Sequence, residues 1–292
     1  RSRDKAGHDT KQTMSLIVDN TYPVVTVNSP ATDEFVDDAY TFRVSALDAV
    51  GMDRVYINVF GNNYLATFSS SSGYWEFTTD TTLKTDGNYN CTATGYDLSG
   101  KETVSSEVSF KIDNNAPVLR VVNPLPGDFL DGYVVIAVNT TDTFLNRTEY
   151  NVDGTGWVDV SVPLNTSNFG DGNHMITIRS LDDAGHVTTT SVNVIIDNFS
   201  PVGTISYPGE NAYVTELTPT FRVVASDIVG VEGGMIGLDF PGLTGDLSMS
   251  YTSATGYYEF RTDVTLIPDG DYNITVTITD RSGKELVIGP VL

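Results

Sequence analysis

The chain of 292 residues is poor in cysteine, in basic residues and in long apolar runs. Its single cysteine, Cys91, excludes an internal disulfide and a cysteine-rich zinc site. Only 16 basic residues stand against 38 acidic ones, and the resulting net charge of −22 disfavours binding to nucleic acid or anionic lipid. No apolar run approaches the ~20 residues that span a membrane, so we expect no transmembrane segment in this chain.

Charged residues make up only 18% of the chain, whereas hydrophobic residues make up 40% and aromatic residues 10%. This composition supports packed cores, and the abundance of Thr, Ser, Asn, Val and Gly favours strands and turns over helices. The acidic surface fits calcium binding, a salty medium or simple solubility.

Three sequence markers recur in the same order along the chain, which is the signature of a repeat architecture. The first is IVDNTYP (17–23), KIDNNAP (111–117) and IIDNFSP (195–201), whose Asp residues are 94 and 84 positions apart. The second is TDGNYNCTATGYDLSGK (85–101), GDGNHMITIRSLDDAGH (170–186) and PDGDYNITVTITDRSGK (268–284). The third is SALDAVG (45–51), NTTDTFL (139–145) and ASDIVGV (225–231).

Between the markers lie short runs of Val, Ile, Thr, Tyr and Phe, punctuated every 8 to 12 residues by Gly, Asp, Asn and Pro. That spacing predicts an all-β fold of three tandem immunoglobulin-like β-sandwich domains. We place the domains at residues 21–114, 115–198 and 199–292, preceded by an orphan closing β-strand or hairpin at residues 1–20.

The strand that follows each Asp-Gly alternates between apolar and polar residues, so one face is expected to be buried. The predicted inward sets are Tyr89, Cys91, Ala93 and Gly95; His174, Ile176 and Ile178; and Tyr272, Ile274, Val276 and Ile278. Cys91 is therefore predicted to be a core residue and not a nucleophile. Tyr89 and Tyr272 occupy the position of the tyrosine corner of immunoglobulin-type sandwiches.

The succession Asp-Asn-x-x-Pro, Ala-x-Asp-x-x-Gly, Asp-Gly-x-Tyr and Asp-x-[Ser/Ala]-Gly resembles the immunoglobulin-like tandem repeats of prokaryotic surface proteins. It is most similar to those of archaeal surface glycoproteins and adhesin-like proteins, and the resemblance covers the whole chain. The resemblance implies an extracellular structural protein in a surface layer, stalk or filament. The alternative is an adhesin or a carbohydrate-binding accessory module of a larger secreted protein. Unit 2 departs from the pattern, because it is shorter and has His174 at the Tyr position.

An enzymatic function is not indicated by the residues. Of the three histidines, His8 and His186 occupy a turn position that carries Lys101 and Lys284 in the other copies, so we predict solvated turn residues there. No copy combines a nucleophile, a base and an orienting group, and the acidic pairs recur once per repeat as a scaffold feature would. We predict no catalytic residues.

Repeated aspartates make calcium the main candidate ligand, although no cofactor is required. The topology brings three acidic loops to the end where the chain enters each domain, and hard oxygen ligands from several loops suit Ca²⁺. The predicted sets are Asp19, Asp48 and Asp97; Asp113, Asp142 and Asp182; and Asp197, Asp227 and Asp280. The alternative is that each Asp caps its own loop, which the absence of a dense Asp-x-Asp-x-Asp loop favours.

Six Asn-x-Ser/Thr sequons are candidate glycosylation sites. They are Asn90, Asn139, Asn146, Asn165, Asn198 and Asn273. Asn90 and Asn273 fall on the outward phase of their strands, where a glycan is easily accommodated. Aromatic residues at Tyr74, Trp75, Trp157, Tyr257 and Tyr258 are interpreted as a mixture of core and scattered surface positions, with a sugar-stacking platform as the alternative.

Residues 1–20 align with the last hairpin and strand of a repeat, with Arg3–His8 matching Leu181–His186. Two explanations stay open. The chain is a piece of a longer tandem array, or the segment is an assembly strand, with Met14, Leu16 and Val18 as its apolar residues, that pairs with a neighbouring subunit. The second explanation implies self-association into a filament or surface lattice.

Overall fold

The structure is a computed structural model that describes residues 2–3, 5–243 and 245–291. The described residues form strands, with one 3-10 turn at Thr166–Asn168. They bury three separate hydrophobic cores, one in each predicted domain. The prediction of an all-β fold of tandem immunoglobulin-like sandwiches is confirmed. In the described ranges, no helix has the length and apolar character needed to cross a membrane.

Contacts divide the chain into two compact units. One comprises the residues up to Pro117 together with two loops, Asp142–Leu145 and Asp182–His186. The other comprises Val118–Thr141, Asn146–Leu181 and the residues from Val187 onward. Within the first unit, the Phe144 ring packs edge-on against Phe35 with centroids 5.1 Å apart. The two loops of the second domain that carry its acidic markers therefore belong to the same unit as the first domain.

The first domain consists of two sheets and is preceded by a small hairpin. The strands are β1 (Ser2–Arg3), β2 (Asp9–Thr10), β3 (Val24–Ser29), β4 (Phe35–Val36), β5 (Ala39–Leu47), β6 (Met52–Val59), β7 (Asn62–Leu65), β8 (Thr67–Phe68), β9 (Trp75–Asp80), β10 (Gly87–Asp97), β11 (Glu102–Val104) and β12 (Val108–Ile112). One sheet has the order β3-β5-β9-β8, and the other has the order β4-β12-β10-β6-β7 with β11 beside β10. Phe42, Phe110 and Ile57 are fully buried in the core, and so is Cys91, as predicted.

The N-terminal hairpin pairs β1 with β2, but residues 11–23 are not a strand. Met14, Leu16 and Val18 are 91%, 84% and 67% exposed. The predicted closing segment thus forms its turn and not its long strand, because an isolated strand has no neighbouring edge to complete its hydrogen bonds.

The second domain has a shorter set of strands. They are β13 (Val118–Asn123), β14 (Phe129–Leu130), β15 (Tyr133–Val134), β16 (Ala137–Thr141), β17 (Leu145–Val152), β18 (Val158–Asp159), β19 (Leu164–Asn165), β20 (Gly172–Asp182) and β21 (Val187–Ile196). The main sheet has the order β14-β21-β20-β17-β18, and the pairs β13-β16 and β15-β19 supply the opposite side. Ile176, Ile178 and Ile196 form the fully buried centre of the core.

The third domain is a single folded-over sheet. Its strands are β22 (Val202–Tyr207), β23 (Thr220–Ser226), β24 (Val231–Leu238), β25 (Leu247–Thr252), β26 (Tyr257–Arg261), β27 (Ile274–Asp280) and β28 (Glu285–Val291). Their order is β22-β23-β26-β25-β24-β27-β28, so β25 pairs with both faces and joins them. Phe221, Val276 and Ile278 are buried between the faces.

The predicted alternation after each Asp-Gly is confirmed in all three domains. In β10, Cys91, Ala93 and Gly95 are buried and Tyr89 is half-buried. Gly95 is required by close packing, since a Cβ there would lie 2.7 Å from Cγ2 of Val25. In the third domain the strand begins at Ile274, two residues later than expected from the pattern.

The tyrosine corners are also confirmed. The Tyr89 hydroxyl donates to the Thr85 carbonyl at 2.8 Å, and the Tyr272 hydroxyl donates to the Pro268 carbonyl at 2.8 Å. In the second domain, Nε2 of His174 lies 2.8 Å from the Gly170 carbonyl, also four residues upstream. The departure of His174 from the repeat pattern therefore preserves the same backbone contact.

Candidate metal centres

The hairpin after each long strand is organised by its first aspartate. In the first domain, Oδ1 of Asp97 accepts hydrogen bonds from the backbone N–H groups of Ser99 at 2.8 Å and Lys101 at 2.9 Å. Asp182 and Asp280 repeat this arrangement. Oδ1 of Asp182 accepts from Gly185 and His186 at 2.7 and 2.8 Å, and Oδ1 of Asp280 accepts from Ser282 and Lys284, both at 2.9 Å. One oxygen of each carboxylate thus caps the turn, and the second oxygen is available for another contact.

In the Asp-Asn pairs at residues 113–114 and 197–198, the two side chains have different roles. The Asn114 carbonyl oxygen accepts from the Thr81 hydroxyl at 3.1 Å and from the Asp38 N–H at 3.1 Å. Its amide nitrogen donates to the Thr81 carbonyl at 3.0 Å. Asn198 makes the same contacts with Thr166, at 2.7 Å to the hydroxyl and 3.3 Å to the carbonyl. The Asn therefore anchors the boundary to the domain that ends there.

In the pairs Asp113-Asn114 and Asp197-Asn198, the Asp side chain is buried and has no hydrogen-bond partner among the described residues. Asp113 and Asp197 are 0% exposed, and among the described residues neither carboxylate has a partner of normal hydrogen-bond geometry. Burial, together with the charges of Asp182, Asp142 and Asp86, raises the pKa of Asp113 to about 6, and the Asn115 backbone N–H opposes the shift. A buried carboxylate without a partner is costly and is normally paired or bound to a metal.

Among the described residues, three groups bring ligand atoms within 4.8 Å of one another. They are Asp19, Asp48 and Asp97; Asp113, Asp182 and His186; and Asp197, Asp227 and Asp280. We name them the first, middle and third clusters. The first and third clusters have the predicted members. In the middle cluster His186 is grouped with Asp113 and Asp182, whereas Asp142 lies outside the group, and its role as a ligand stays a prediction.

The aspartates of the early loops cap their own turns, as the loop-capping interpretation predicts. Oδ1 of Asp48, Asp142 and Asp227 accepts a backbone N–H two residues later, each at 2.7 Å. Burial raises the pKa of Asp227, and the hydrogen bond from the Val229 N–H partly opposes this increase. The neighbouring charges of Asp197 and Asp280 raise the pKa further. The two interpretations of the repeated aspartates are therefore compatible, since one carboxylate oxygen suffices for the turn.

In the first cluster, the residue at the end of the hairpin contacts one of the clustered aspartates. Nζ of Lys101 lies 3.2 Å from Oδ2 of Asp19 and donates to the Asp19 carbonyl at 2.8 Å. The pKa of Asp19 is lowered to about 2, mainly by a hydrogen bond from the Ser99 hydroxyl. The Thr21 N–H and Lys101 lower it further, and together these groups outweigh the effect of burial. The first cluster thus already holds a cation on one of its carboxylates.

The third and middle clusters differ from this arrangement. Nζ of Lys284 donates to the Asp197 carbonyl at 2.6 Å and lies 3.2 Å from Oδ2 of Asp131, away from the Asp197 carboxylate. In the middle cluster, Nδ1 of His186 lies 3.0 Å from Oδ2 of Asp182. The prediction of a solvated turn residue is wrong for His186, which is half-buried and faces the cluster. The Lys-to-His change in the repeat was the sequence signal for this difference.

The candidate glycosylation sites fall into two classes by burial. Asn90, Asn139 and Asn146 are exposed, and Asn165, Asn198 and Asn273 are half-buried. Both Asn90 and Asn273 alternate in sequence with inward residues, but Asn273 is less exposed than Asn90. The amide nitrogen of Asn273 donates to Oδ2 of Asp239 at 3.0 Å, and that of Asn198 is engaged at the boundary.

The five aromatic residues considered as a sugar platform lie in three different domains. Tyr258 is buried in the third core, and Trp75 packs against the first core. Trp157 is exposed but is covered by the Arg179 guanidinium, 3.9 Å from the ring centroid. The core-and-scattered interpretation fits these positions.

Residues 23–93 match the family described as Bacterial Ig domain. No curated protein matches the chain. Among solved structures, the chain is similar to fibronectin(III)-like modules of Clostridium thermocellum CbhA, with 18% identity over 60% of this chain and 95% of that one and a TM-score of 0.38. It is also similar to a Ca²⁺-stabilized adhesin that helps an Antarctic bacterium bind ice. The identity is 18% over 98% of this chain and 78% of that one, and the TM-score is 0.37. A tetra-tandem repeat from the extending region of a large adhesion protein is similar as well. The identity is 16% over 91% of this chain and 72% of that one, and the TM-score is 0.33.

Proposed function

We propose that this chain is a non-catalytic spacer of an extracellular, adhesin-like surface protein, in which Ca²⁺ stiffens the connections between immunoglobulin-like domains. The observation that carries the proposal is the buried Asp197 carboxylate, which has no hydrogen-bond partner among the described residues. Asp197 closes one domain, while Asp227 and Asp280 belong to loops of the next. A cation bound by all three would restrict bending at that connection.

The donor chemistry of the third cluster supports calcium. Its three carboxylates place ligand oxygens within 4.8 Å of one another, which is about twice a typical Ca²⁺–oxygen distance. Oδ2 of Asp280 and both oxygens of Asp197 are buried without partners among the described residues. Backbone carbonyls and water would complete the six to eight oxygens that Ca²⁺ prefers.

The first cluster is expected to bind Ca²⁺ more weakly than the third. In the first cluster Lys101 already pairs with the Asp19 carboxylate, so an incoming ion must displace an ammonium group. In the third cluster Lys284 is held on a backbone carbonyl and on Asp131, and it leaves the ligand oxygens free.

Calorimetry of the chain with excess EGTA and with excess Ca²⁺ tests the proposal. Ca²⁺ is expected to raise the melting midpoint, because a ligand at 100 times its Kd adds about 2.7 kcal/mol to the free energy of unfolding. Asp280→Asn should remove most of the rise, whereas the control Asp269→Asn, at an exposed carboxylate, should retain it. Equal midpoints with EGTA and Ca²⁺ for the wild-type chain would exclude a stabilising calcium site.

We also propose that the surface is glycosylated at exposed sequons. Asn90, Asn139 and Asn146 are the favoured positions, because their exposed side chains leave room for a glycan. Mass spectrometry of peptides from native material should find glycans at these positions and unmodified Asn198. A polypeptide mass without additions would refute this part of the proposal.

Self-association through the N-terminal segment is the remaining part of the proposal. Met14, Leu16 and Val18 alternate along an exposed segment that forms no strand in this structure, a pattern suited to pairing with the sheet edge of another copy. Sedimentation should show assemblies that dissociate when residues 1–18 are deleted or when Leu16 is replaced by Lys. Unchanged sedimentation of both variants would eliminate strand donation.

A further inference from the structure

The middle cluster differs chemically from the other two, and that difference indicates a second kind of ion. We propose that Asp113, Asp182 and His186 form a site for a divalent transition-metal ion of the Zn²⁺ class, distinct from the calcium sites. The inference rests on the proposed function only in treating the buried clusters as cation sites.

The first argument is the donor set. His186 contributes an aromatic nitrogen, and Asp113 and Asp182 contribute carboxylate oxygens, with the three ligand atoms within 4.8 Å of one another. Ca²⁺ takes oxygen ligands, whereas imidazole nitrogen together with carboxylates suits Zn²⁺, Co²⁺ and related ions. A three-residue set leaves a fourth position for water, which is a common arrangement for Zn²⁺.

The second argument is an unpartnered ligand aimed into the cluster. Asp113 is fully buried, and neither of its oxygens has a hydrogen-bond partner among the described residues. Its position is fixed by its backbone N–H, which donates to the Val36 carbonyl at 3.2 Å, and by the anchored Asn114 beside it. The side chain therefore faces the cluster without a partner of normal hydrogen-bond geometry among the described residues, and a bound cation would offset the cost of burying it.

The third argument is the preorganised Asp182–His186 pair. Oδ1 of Asp182 holds the hairpin, so Oδ2 is directed toward Nδ1 of His186 at 3.0 Å. Two ligands at roughly 2.0–2.1 Å from one metal ion lie about 3 Å apart, so this pair fits adjacent coordination positions. Replacing the hydrogen bond by metal coordination requires little movement of either side chain.

The second nitrogen of His186 has a carboxylate nearby, as metal-bound histidines usually do. Nε2 lies 3.8 Å from Oδ2 of Asp37, which is within ion-pair distance. With Nδ1 on the metal, the Nε2–H group would face Asp37 and fix the orientation of the ring. Asp37 is thus a positioning residue for the proposed ligand.

The other histidines are poor candidates for the same ion. Both ring nitrogens of His174 are engaged, Nδ1 with Asp153 at 2.6 Å and Nε2 with the Gly170 carbonyl at 2.8 Å. His8 is exposed on the N-terminal hairpin and serves as the control for surface binding. The first and third clusters have Lys101 and Lys284 at the position of His186, so they lack the nitrogen ligand.

The test is a Co²⁺ titration of the EDTA-stripped, dialysed chain in excess Ca²⁺, followed by visible absorption and by competition with Zn²⁺. One equivalent of Co²⁺ should bind with enhanced visible bands, resist the Ca²⁺ and be displaced by Zn²⁺. His186→Lys introduces the residue of the other copies and should abolish the bands, and Asp113→Asn should weaken binding at least tenfold. Asp37→Asn should weaken binding about tenfold, and His8→Ala should have no effect.

Three results would overturn the inference. They are bands that persist in His186→Lys, displacement of Co²⁺ by Ca²⁺, or the absence of Co²⁺ binding by a wild-type chain whose circular dichroism shows that it is folded. The calcium-dependent melting of the same samples, with Asp280→Asn as reference, reports separately on the third cluster. A loss of the calcium effect with the Co²⁺ bands intact refutes the proposed calcium stiffening alone, and the reverse result refutes the transition-metal site alone.

Discussion

Asp113 and Asn114 are neighbours in sequence, yet their side chains serve opposite sides of a domain boundary. Asn114 exchanges hydrogen bonds with Thr81 of the domain that ends there, whereas Asp113 faces Asp182 of the domain that follows. Asp197 and Asn198 repeat this division. The dipeptide therefore positions a buried carboxylate by fixing the backbone next to it.

Asn114→Ala is expected to destabilise the first domain by about 1–3 kcal/mol, because Thr81 and the Asp38 N–H lose hydrogen-bond partners in a partly buried setting. Urea unfolding measures the change. Asn20→Ala is the matched control, since Asn20 occupies the same repeat position but is exposed. Equal effects of the two substitutions would contradict the anchoring role of Asn114.

Phe42→Ala should lower the free energy of unfolding of the first domain by about 3–5 kcal/mol, because the ring is fully buried and packs edge-on against Phe110 with centroids 5.6 Å apart. Leu83→Ala, at a residue that is 84% exposed, should change it by about 0.5 kcal/mol or less. Calorimetry of Phe42→Ala should show a lower melting midpoint for the first domain alone. If the transitions of all three domains shifted together, the three cores would not unfold separately.

Tyr272→Phe removes the hydroxyl that donates to the Pro268 carbonyl and should cost about 0.5–1.5 kcal/mol. The control is Tyr213→Phe, at a residue that is 95% exposed. Thermal melting of both variants compares them directly. The corner has no stabilising role if Tyr272→Phe melts like Tyr213→Phe.

The Cys91 thiol should react with iodoacetamide only after the first domain opens. Burial, with a smaller effect of the Glu107 charge, raises the pKa of Cys91 to about 11. At pH 8 roughly one thiol in a thousand is then ionised, and the labelling rate should rise with pH toward 11. Urea should accelerate labelling at fixed pH.

An exposed thiol is the reference for that measurement. Cys91→Ala combined with Ser106→Cys moves the single thiol to the surface of the same domain, and it should be labelled rapidly with and without urea. Rapid labelling of the wild-type protein in native buffer would contradict the burial of Cys91.

The sequence predicted the strands well because successive side chains of a strand point to opposite faces of the sheet, so buried and exposed residues alternate. The alternation of Cys91, Ala93 and Gly95 indicated one buried face, and that face lies in the first core. The sequence predicted the closing segment, residues 1–20, less well. Met14 and Leu16 have the right pattern for a strand, but a strand also needs a neighbouring edge.

The sequence also indicated which loops meet at each cluster, but not which atoms. Asp142 and His186 belong to neighbouring loops of the same end, and the spacing of the markers does not tell which of the two lies within the middle cluster. Packing decides this, because Oδ1 of Asp182 holds the hairpin in a shape that directs the His186 ring toward Asp113. Such contacts set the direction of a side chain at a hairpin end, and the alternation of apolar and polar residues in the sequence does not reveal it.

By itself, the sequence determined the three repeats, the all-β architecture and the recurrence of acidic loops, since these follow from local alternation and turn chemistry. Only the tertiary structure decided that Asp113 and Asp197 are buried without partners among the described residues and that His186 joins the middle cluster. The physical reason is that burial and ligand distance depend on residues far apart in sequence, which local propensities do not encode.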